Sequence, residues 1–552
     1  MSIRSALVTE PSRRWLALSV LLAGLVVALL VTAALNGTGP PDPALPDGRI
    51  AGTISWPEGQ ELPTFARPAS PLAYVDLTAA SDDDKVLVAS LQGLVNRERP
   101  RIYVGDAAAE GNTTWADSLH LAYRQTTVTG VLRTYARLAH GLVVWDPSQP
   151  DTLNLATTIA GLTGSLVASP AQVALLSAPP YRLPIVQDLR GRFSSRLDIY
   201  RYALRTLWPR TTHRILVGLN PFTQQDMLRD YAVANGLLVL WLDPSNPTEA
   251  ALLERFVAQM PVNGAYMGWF PNDVTGEVAG TTLNSRHGVI TFASDYFQNM
   301  TVLAGTERAV TAPDPQAPPP LQNKIYVAFN VSDGDNLQAD EHRLRQMWDD
   351  PARGRVPLSW TISPALLDAA PGLLRWYQRS ATPNDELVAG VSGLGYVRPD
   401  QVPCDLYPAF ARRTSTYLAE AGLSVIHLLD SSNTLPACAA QAYGDDIPSL
   451  LGLLQTVDGT QAPALLGGRR ALPYVTMDGY QTSWGALVSA VQRAASGWDG
   501  RSPRFIAAIG IAWNVMPRDF LSAMNALSAQ SKDYVFVRDD QLMTLIRRAN
   551  AR

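Results

Sequence analysis

The stretch "KIYVAFNVSDGDNLQ", Lys324 to Gln338, decides how the chain is read. An apolar run, Ile325 to Phe329, leads directly into Asn330, Ser332, Asp333, Asp335 and Asn336. A strand buried on both faces reads as a continuous apolar run, as expected in a parallel sheet. In parallel α/β folds the C-terminal ends of the strands carry the site. Two carboxylates one residue apart repel each other and cost solvation if buried. A strand that delivers both to one place is therefore a candidate site.

The pattern around this strand repeats. Downstream, "PLSWTIS", "ELVAGVSG", "SVIHLLD", "PALLGG", "LPYVTMD", "RFIAAIGIAW" and "YVFVRDD" read as short apolar strands. Helical stretches such as "PGLLRWYQRSA", "AFARRTSTYLAEAG" and "PRDFLSAMNALSAQ" separate them. Seven or eight β-α units over residues 322–552 suit a (β/α) barrel-like domain, and an open doubly wound sheet gives the same local pattern. Upstream, "APDPQAPPPL" (Ala312–Leu321) holds five prolines in ten residues. Proline lacks an amide donor and restricts its predecessor, so this is a linker, 312–321. Residues 66–311 again alternate helix and strand, as in "DDDKVLVASLQGLVN", "RIYVG", "RILVGLN" and "VITFASD", and predict two or three small α/β subdomains.

The N-terminal part differs in kind. Trp15–Leu35 contains no charge over 21 residues, enough to span a bilayer core. Arg4, Arg13 and Arg14 precede it, which predicts a cytoplasmic N-terminus and an extracytoplasmic bulk. Residues 1–35 thus read as a cytoplasmic tip and transmembrane anchor. Thr32 and Ala34 also fit a small-residue cleavage site, so a signal peptide with secretion is the alternative. Residues 36–65, rich in Pro, Gly and small polar residues, read as a tether.

Composition narrows the function classes. The 552-residue chain exceeds one ordinary core, and 47% hydrophobic with 17% charged residues is a globular balance. A net charge of -4, with no basic run beyond the N-terminus, lacks the footprint of nucleic-acid binding. Cys404 and Cys438 are the two cysteines, too few for an ordinary four-ligand zinc site. Outside the cytoplasm they could pair, or remain separate buried thiols. No G-x-S-x-G elbow and no G-x-G-x-x-G after a strand is present. An EF-hand reading of the acidic loop fails because Leu337 stands where an oxygen ligand belongs. No metal or cofactor is expected.

Polar and aromatic groups recur at the predicted strand ends. They are Asp333, Asp335 and Asn336; Ser392, Gly393, Gly395 and Tyr396; Asp430; Asp478 and Tyr480; Trp513 and Asn514; and Asp539 with Asp540. One polar strand end is an ordinary turn. Several on one rim, with Trp and Tyr among the acids, suggest a cleft. Gly334 could supply positive φ, and Asp335 and Asn336 could cap the following helix.

"SGLGYVRP", Ser392–Pro399, resembles the signature of the GxGYxYP family of glycoside-hydrolase-like proteins. "FNVSDGDNLQ", "LSWTISPALLDAAPGLLRWYQRSATPNDELVAG" and "YVFVRDDQLMTLI" resemble its C-terminal domain. "VDLTAASDDDKVLVASLQGLVNRERPRIYV" resembles its N-terminal domain, and "LPIVQDLRGRF" and "GWFPNDVTGE" its middle portion. The signature's second Tyr is Arg398 here, which could stack on a sugar and favour an acidic glycan.

The resemblance implies a carbohydrate substrate and carboxylate acid/base chemistry. The candidate catalytic residues are Asp333, Asp335, Asp430 and Asp478. The candidate substrate-binding residues are Asn336, Gly393, Gly395, Tyr396, Arg398, Tyr480, Trp513 and Asn514. Asp333 is preferred as the cleft acid, with Asp335 and Asn336 shaping its turn. Asp385 and Glu386 precede a strand and are set aside. A non-catalytic, membrane-tethered glycan-binding protein is the alternative. A polysaccharide deacetylase-like esterase is a third reading, weakened because His342 and His427 are too far apart in sequence for a His-x-x-x-His ligand pair.

Overall fold

The computed structural model describes residues 56–551 except 224, 309–315, 430–433, 460 and 469. The predicted membrane span lies outside the described residues, among which no helix is long and apolar enough to cross a membrane. Most of the predicted tether is outside them too. Its described end is packed: Leu62 and Phe65 are buried, and the amides of Glu61 and Leu62 donate to Asp368 Oδ2 at 3.1 and 3.0 Å.

The chain is a mixed α/β protein built on parallel sheets. Strands β1 (Leu72–Asp76), β2 (Ile102–Gly105) and β3 (Tyr123–Thr126) form a parallel sheet with β1 central. Strands β4 (Leu142–Val144), β5 (Leu166–Ala168) and β6 (Ile185–Asp188) form a second, centred on β4. Strands β7 (Ile215–Gly218), β8 (Leu238–Leu240), β9 (Ala265–Gly268) and β10 (Ile290–Ala293) form a third, ordered β10-β9-β7-β8.

The crossover helices are set by local chemistry. Helix Asp82–Asn96 starts where Ser81 Oγ accepts the Asp84 amide at 3.2 Å, with three acids in the first turn. That placement matches the positive end of the helix dipole. Buried polar groups then tie the sheets together. Gln92 donates to Asn299 Oδ1 at 2.9 Å and Asn96 to Thr301 Oγ1 at 2.9 Å. Arg97 donates to the carbonyls of Gly161, Val233 and Ala234.

The C-terminal sheet contains β11 (Ile325–Val331), β12 (Leu358–Ile362), β13 (Asp385–Ala389), β14 (Val425–Leu428), β15 (Gly452–Val457), β16 (Ala464–Leu466), β17 (Leu472–Asp478), β18 (Tyr480–Gln481), β19 (Arg504–Gly510) and β20 (Tyr534–Val537). Strands β11 to β15 pair in sequence order, and β17 follows β15; all these pairs are parallel. Strand β16 adds the antiparallel pairing. After β17 the chain bends at Gly479 into β18, which pairs with β19, and β19 pairs with β11 along its whole length. Strand β20 also pairs with β11.

Alternate residues separate two cores, as the two-residue period of a strand requires. Tyr326, Ala328, Val388, Val425, Leu454, Val475, Met477, Ala507 and Ile509 meet in one cluster beneath the last helix, Asp539–Asn550. Ile325, Val327, Phe329 and Val331 pack with the surrounding helices. All of β11 is buried, as its unbroken apolar pattern predicts. Cys404 and Cys438 are joined in a disulfide with Cα atoms 5.7 Å apart, which resolves the alternatives left by the sequence.

Candidate functional site

The loop after β11 is shaped by three close approaches. Asp333 takes a left-handed conformation with φ 67°. Such a backbone costs on the order of 1–3 kcal/mol, and Asp tolerates it better than most residues. The positive φ expected of Gly334 therefore belongs to Asp333. Gly334 is needed for space: its amide donates to Thr361 Oγ1 at 2.8 Å, and a Cβ would overlap the Thr361 carbonyl. One residue on, a Cβ at Gly390 would lie 2.5 Å from the Cα of Asp335. The loop is thus seated on the ends of β12 and β13. Asn336 closes the turn, its side-chain amide donating to Asp333 O at 3.1 Å.

The segment Ser392–Pro399 joins this loop to the third sheet. Gly393 has φ 132°. Gly395 leaves room for Ile290 and Phe292, which a Cβ would approach to 2.7 Å. Tyr396 then bridges Thr291 on β10, with N–H···O bonds of 2.9 and 3.1 Å in the two directions. Its ring packs edge-on against Trp269 at 5.7 Å, and its hydroxyl acts on the carboxyls of Glu277 and Asp335, opposing the rise that burial gives both pKa values. The sugar-stacking role expected of Arg398 does not fit its placement. It is 4% exposed; its Nε donates to Thr281 Oγ1 at 2.7 Å, and its Nη2 lies 3.6 Å from Glu277 Oε1.

Glu277 is the residue that sequence reasoning missed. It sits on helix Asp273–Arg286, between β9 and β10, inside the quoted segment "GWFPNDVTGE". Nothing local distinguishes it from a solvated helical acid. The bridge between Tyr396 and Thr291, with the contact of Arg398 on Glu277, joins its domain to the segment after β13.

The three carboxyls have different environments. Asp333 is partly enclosed: Ser332 Oγ donates to its Oδ2 and Trp513 Nε1 to its Oδ1 at 3.0 Å. Burial pushes its pKa up, and these donors with the Ala512 amide pull it back. Asp335 is buried, and its Oδ2 has no partner among the described residues. Burial first, then the Asp333 charge, hold its pKa well above the usual carboxylate range. Burial also raises Glu277, against which Arg398 and the Tyr396 hydroxyl act. Asp335 is the carboxyl whose ionisation burial opposes more strongly and whose buried Oδ2 has no partner, while both oxygens of Asp333 are employed. The capping role considered for Asp335 and Asn336 is not made, since neither side chain caps the following helix.

Aromatic side chains border these groups. Trp513 is 54% and Tyr480 37% exposed. The Tyr480 phenol is acted on by Asp333 and Asp335, and its ring lies 6.4 Å from that of His427. Asn514 is exposed in the turn beside Trp513. Asp478 is directed elsewhere: Arg493 Nη2 contacts its Oδ2 at 2.7 Å, and the Gly459 amide donates to its Oδ1 at 3.0 Å. Asp430 lies outside the described residues. Asp385 pairs with Arg353 at 2.7 Å and Glu386 accepts from Ser359 at 3.0 Å, so both serve the far end of the sheet. Buried carboxyls with raised pKa values and exposed rings thus share the loop after β11.

Family models match four consecutive stretches of the chain. Residues 71–139, 139–211 and 213–305 match the first, second and third domains of the GxGYxYP N-terminal region. Residues 323–547 match the "GxGYxYP putative glycoside hydrolase C-terminal domain". No curated protein matches the sequence. A solved structure described as a "putative hydrolase" from Bacteroides thetaiotaomicron VPI-5482 is 18% identical, with a TM-score of 0.78. The match covers 90% of this chain and 98% of that one, which shows a shared fold. A "putative polysaccharide deacetylase" from Mycobacterium smegmatis overlaps 43% of this chain and 96% of its own. Its 13% identity and TM-score of 0.30 carry no argument. With matches to all four of its domains from residue 71 to residue 547, the chain belongs to the GxGYxYP family.

Proposed function

We propose that the protein is a glycoside hydrolase acting on an extracytoplasmic polysaccharide or glycan. One observation carries the reading: Asp335 is a buried carboxyl with an unpartnered oxygen whose ionisation burial opposes, in the electrostatic neighbourhood of Glu277, Tyr396 and Tyr480, and next to Asp333, which holds the exposed ring of Trp513. A carboxylic acid still protonated near neutral pH can give its proton to a departing sugar oxygen. A flat exposed ring can take the apolar face of a pyranose. The family's description points to the same substrate class.

The C-terminal domain is read as barrel-like. Support comes from the parallel pairings that run from β17 through β11 to β19 and β18, from the chain passing directly from β17 into β18 at Gly479, and from the single cluster formed by alternate strand residues. The site then lies at the C-terminal strand ends, as in other barrels.

The test is release of reducing sugar from a panel of polysaccharides by the full chain, with Asp335→Asn as control. Turnover lost by the folded variant supports the reading. Equal turnover by variant and parent, or none by the parent on any glycan, defeats it.

A further inference from the structure

We propose that His342 is a proton-dependent clasp: as an imidazolium it ties Glu110 of the first N-terminal domain to Glu341 beside the acidic loop after β11, and loss of its proton frees that loop. The inference does not depend on the glycoside-hydrolase reading.

The far side of the loop cannot hold itself. Asn336 leads into helix Leu337–Glu341, and five residues are too few for a helix to persist alone. Its place is set from outside. After β10, the Tyr296 amide donates to Gln338 Oε1 at 2.9 Å, and the Gln298 amide to Glu341 Oε2 at 2.8 Å. From the first domain, Trp115 Nε1 donates to the Glu341 carbonyl at 2.6 Å.

His342 closes this set. Its Nδ1 is 2.6 Å from Glu110 Oε1, and its Nε2 is 3.1 Å from the Tyr296 carbonyl and 3.3 Å from Glu341 Oε2. Both ring nitrogens therefore face oxygens. The Tyr296 carbonyl can only accept, and Glu341 Oε2 already accepts the Gln298 amide. A neutral imidazole has one N–H and would turn a lone pair on one of these oxygens; the imidazolium donates from both sides. The Glu110 and Glu341 side chains are 3% and 2% exposed, and buried carboxylates need a cation beside them. The neighbouring arginines are engaged elsewhere: Arg343 donates to the carbonyls of Ala512 and Val515, and Arg345 pairs with Asp349. Tyr103, Tyr377 and Asp230 are the further titratable groups in electrostatic reach of the two carboxyls, and none brings a positive charge.

The direction of the pH response follows. Burial alone would lower the His342 pKa, but the charges of Glu341 and Glu110 outweigh it and raise the value to about 9. An unfolded histidine titrates near 6.5. The contribution of the clasp is therefore whole below about pH 6.5 and is lost as pH rises through about 9. Glu341, raised by burial to about 8, gives up its proton over the same interval and with the same sign. The partly exposed ring edge lets the His342 proton leave to water. Two buried carboxylates then flank a neutral ring, and the short helix loosens with the loop in front of it.

The test uses the full chain and needs no substrate. Histidine-selective nitrogen-15 labelling follows the imidazoles from about pH 5 to about pH 11 by NMR. One should titrate at about 9, should be absent from His342→Gln, and should titrate lower in Glu110→Gln. Hydrogen exchange, corrected for the intrinsic effect of pH, reads the amides of Gly334 and Asn336, which bond to Thr361 Oγ1 and the Asp333 carbonyl. Amides of β4, in the second sheet, serve as reference. Protection of the loop relative to β4 should fall at least about tenfold in the parent between pH 7 and pH 10. In His342→Gln it should already be low at pH 7, with no further step. If no imidazole titrates above about pH 8, the clasp is overturned. Relative protection of the loop that stays flat in the parent from pH 7 to pH 10 overturns its link to the loop, as does equal protection in parent and His342→Gln at pH 7. Should that variant fail to fold, the titration and exchange profile of the parent decide alone.

Discussion

The indole Nε1 of Trp513 donates to Asp333 Oδ1 at 3.0 Å, so the most exposed ring on the rim and the first acid of the loop form one unit. The other Asp333 oxygen receives Ser332 Oγ, which in turn accepts the Ala512 amide at 3.1 Å. The carboxylate thus fixes the plane of the indole. Trp513→Ala removes the stacking face and the bond together and should weaken oligosaccharide binding about tenfold, or ~1.4 kcal/mol. Trp513→Phe keeps a face and should lose much less. Calorimetric titration in an Asp335→Asn background, with an oligosaccharide that the parent cleaves, measures both. Equal affinities for all three proteins would remove Trp513 from the site.

Asp335→Asn separates chemistry from stability. Burial opposes ionisation of the native carboxyl, so an amide of the same shape should replace it at small cost to the folded state. Turnover of a natural glycan should fall by ~10²–10⁴-fold, the usual worth of a general acid. Turnover of 4-nitrophenyl glycosides should fall far less, because that leaving group departs without a proton. The melting temperature should be unchanged or raised at pH 8, where ionisation of the buried acid opposes folding in the parent. A marked loss of stability in the variant would instead make Asp335 a structural acid.

Gly334→Ala tests the seat of the loop. The added methyl would overlap the Thr361 carbonyl on a neighbouring buried strand. Overpacking of this type costs ~1–3 kcal/mol or displaces the loop. The variant should lose thermal stability and activity together. Gly459→Ala, where a Cβ meets no neighbour, is the control for surface glycine; its φ of 78° adds only local backbone strain. Matching losses in the two variants would show that the contact with Thr361 is not what holds the loop.

The parts of the fold set by periodicity were legible in the sequence. Strand β11 is buried on both faces, so its apolar run has no polar interruption before Asn330. The parts of the site set by long-range contact were not. Glu277 lies on a helix of another sheet, and its surroundings in sequence are those of any exposed helical acid. Arg398 looked like a solvent-facing cation because arginine is rarely buried, yet Thr281 and Glu277 satisfy it. Asp335 looked like a turn former because its distinguishing contact is with the backbone at Gly390, fifty-five positions away. Gly334 drew attention as the permissive residue, while the strained backbone fell to Asp333.

The disulfide gives a test of compartment as well as stability. Cys404 and Cys438 close a span of 34 residues, for which the chain-entropy account assigns about 4 kcal/mol. The bond links the segment after Arg398 to helix Ala437–Asp446. Cys404→Ser with Cys438→Ser should lower the denaturation midpoint of the C-terminal domain, and reductant should do the same to the parent alone. Bonds of this type persist outside the cytoplasm. On the proposed extracytoplasmic placement, both thiols should resist alkylation in protein taken directly from cells. Rapid labelling of both would argue against that placement.

His427 provides a pH signature. It lies on β14, 2% exposed, with Nε2 2.9 Å from Thr456 Oγ1 and the Tyr480 ring beside it. Burial pushes its pKa down to about 4. An unfolded histidine takes up its proton near pH 6.5, so between about 6.5 and 4 the unfolded chain holds a proton that the folded chain does not. The stability tied to neutral His427 is therefore fully present above pH 6.5. It is lost as pH falls, to a total on the order of 3 kcal/mol below pH 4. The buried acids Glu61, raised to about 7, and Glu341, raised to about 8, work in the opposite direction over part of this range. The informative quantity is therefore the difference between parent and His427→Asn, measured by denaturant unfolding. The variant should be the less stable at pH 7, and the gap should narrow by about 3 kcal/mol at pH 4. A gap that stays constant from pH 7 to pH 4 would mean that His427 does not change its proton affinity on folding.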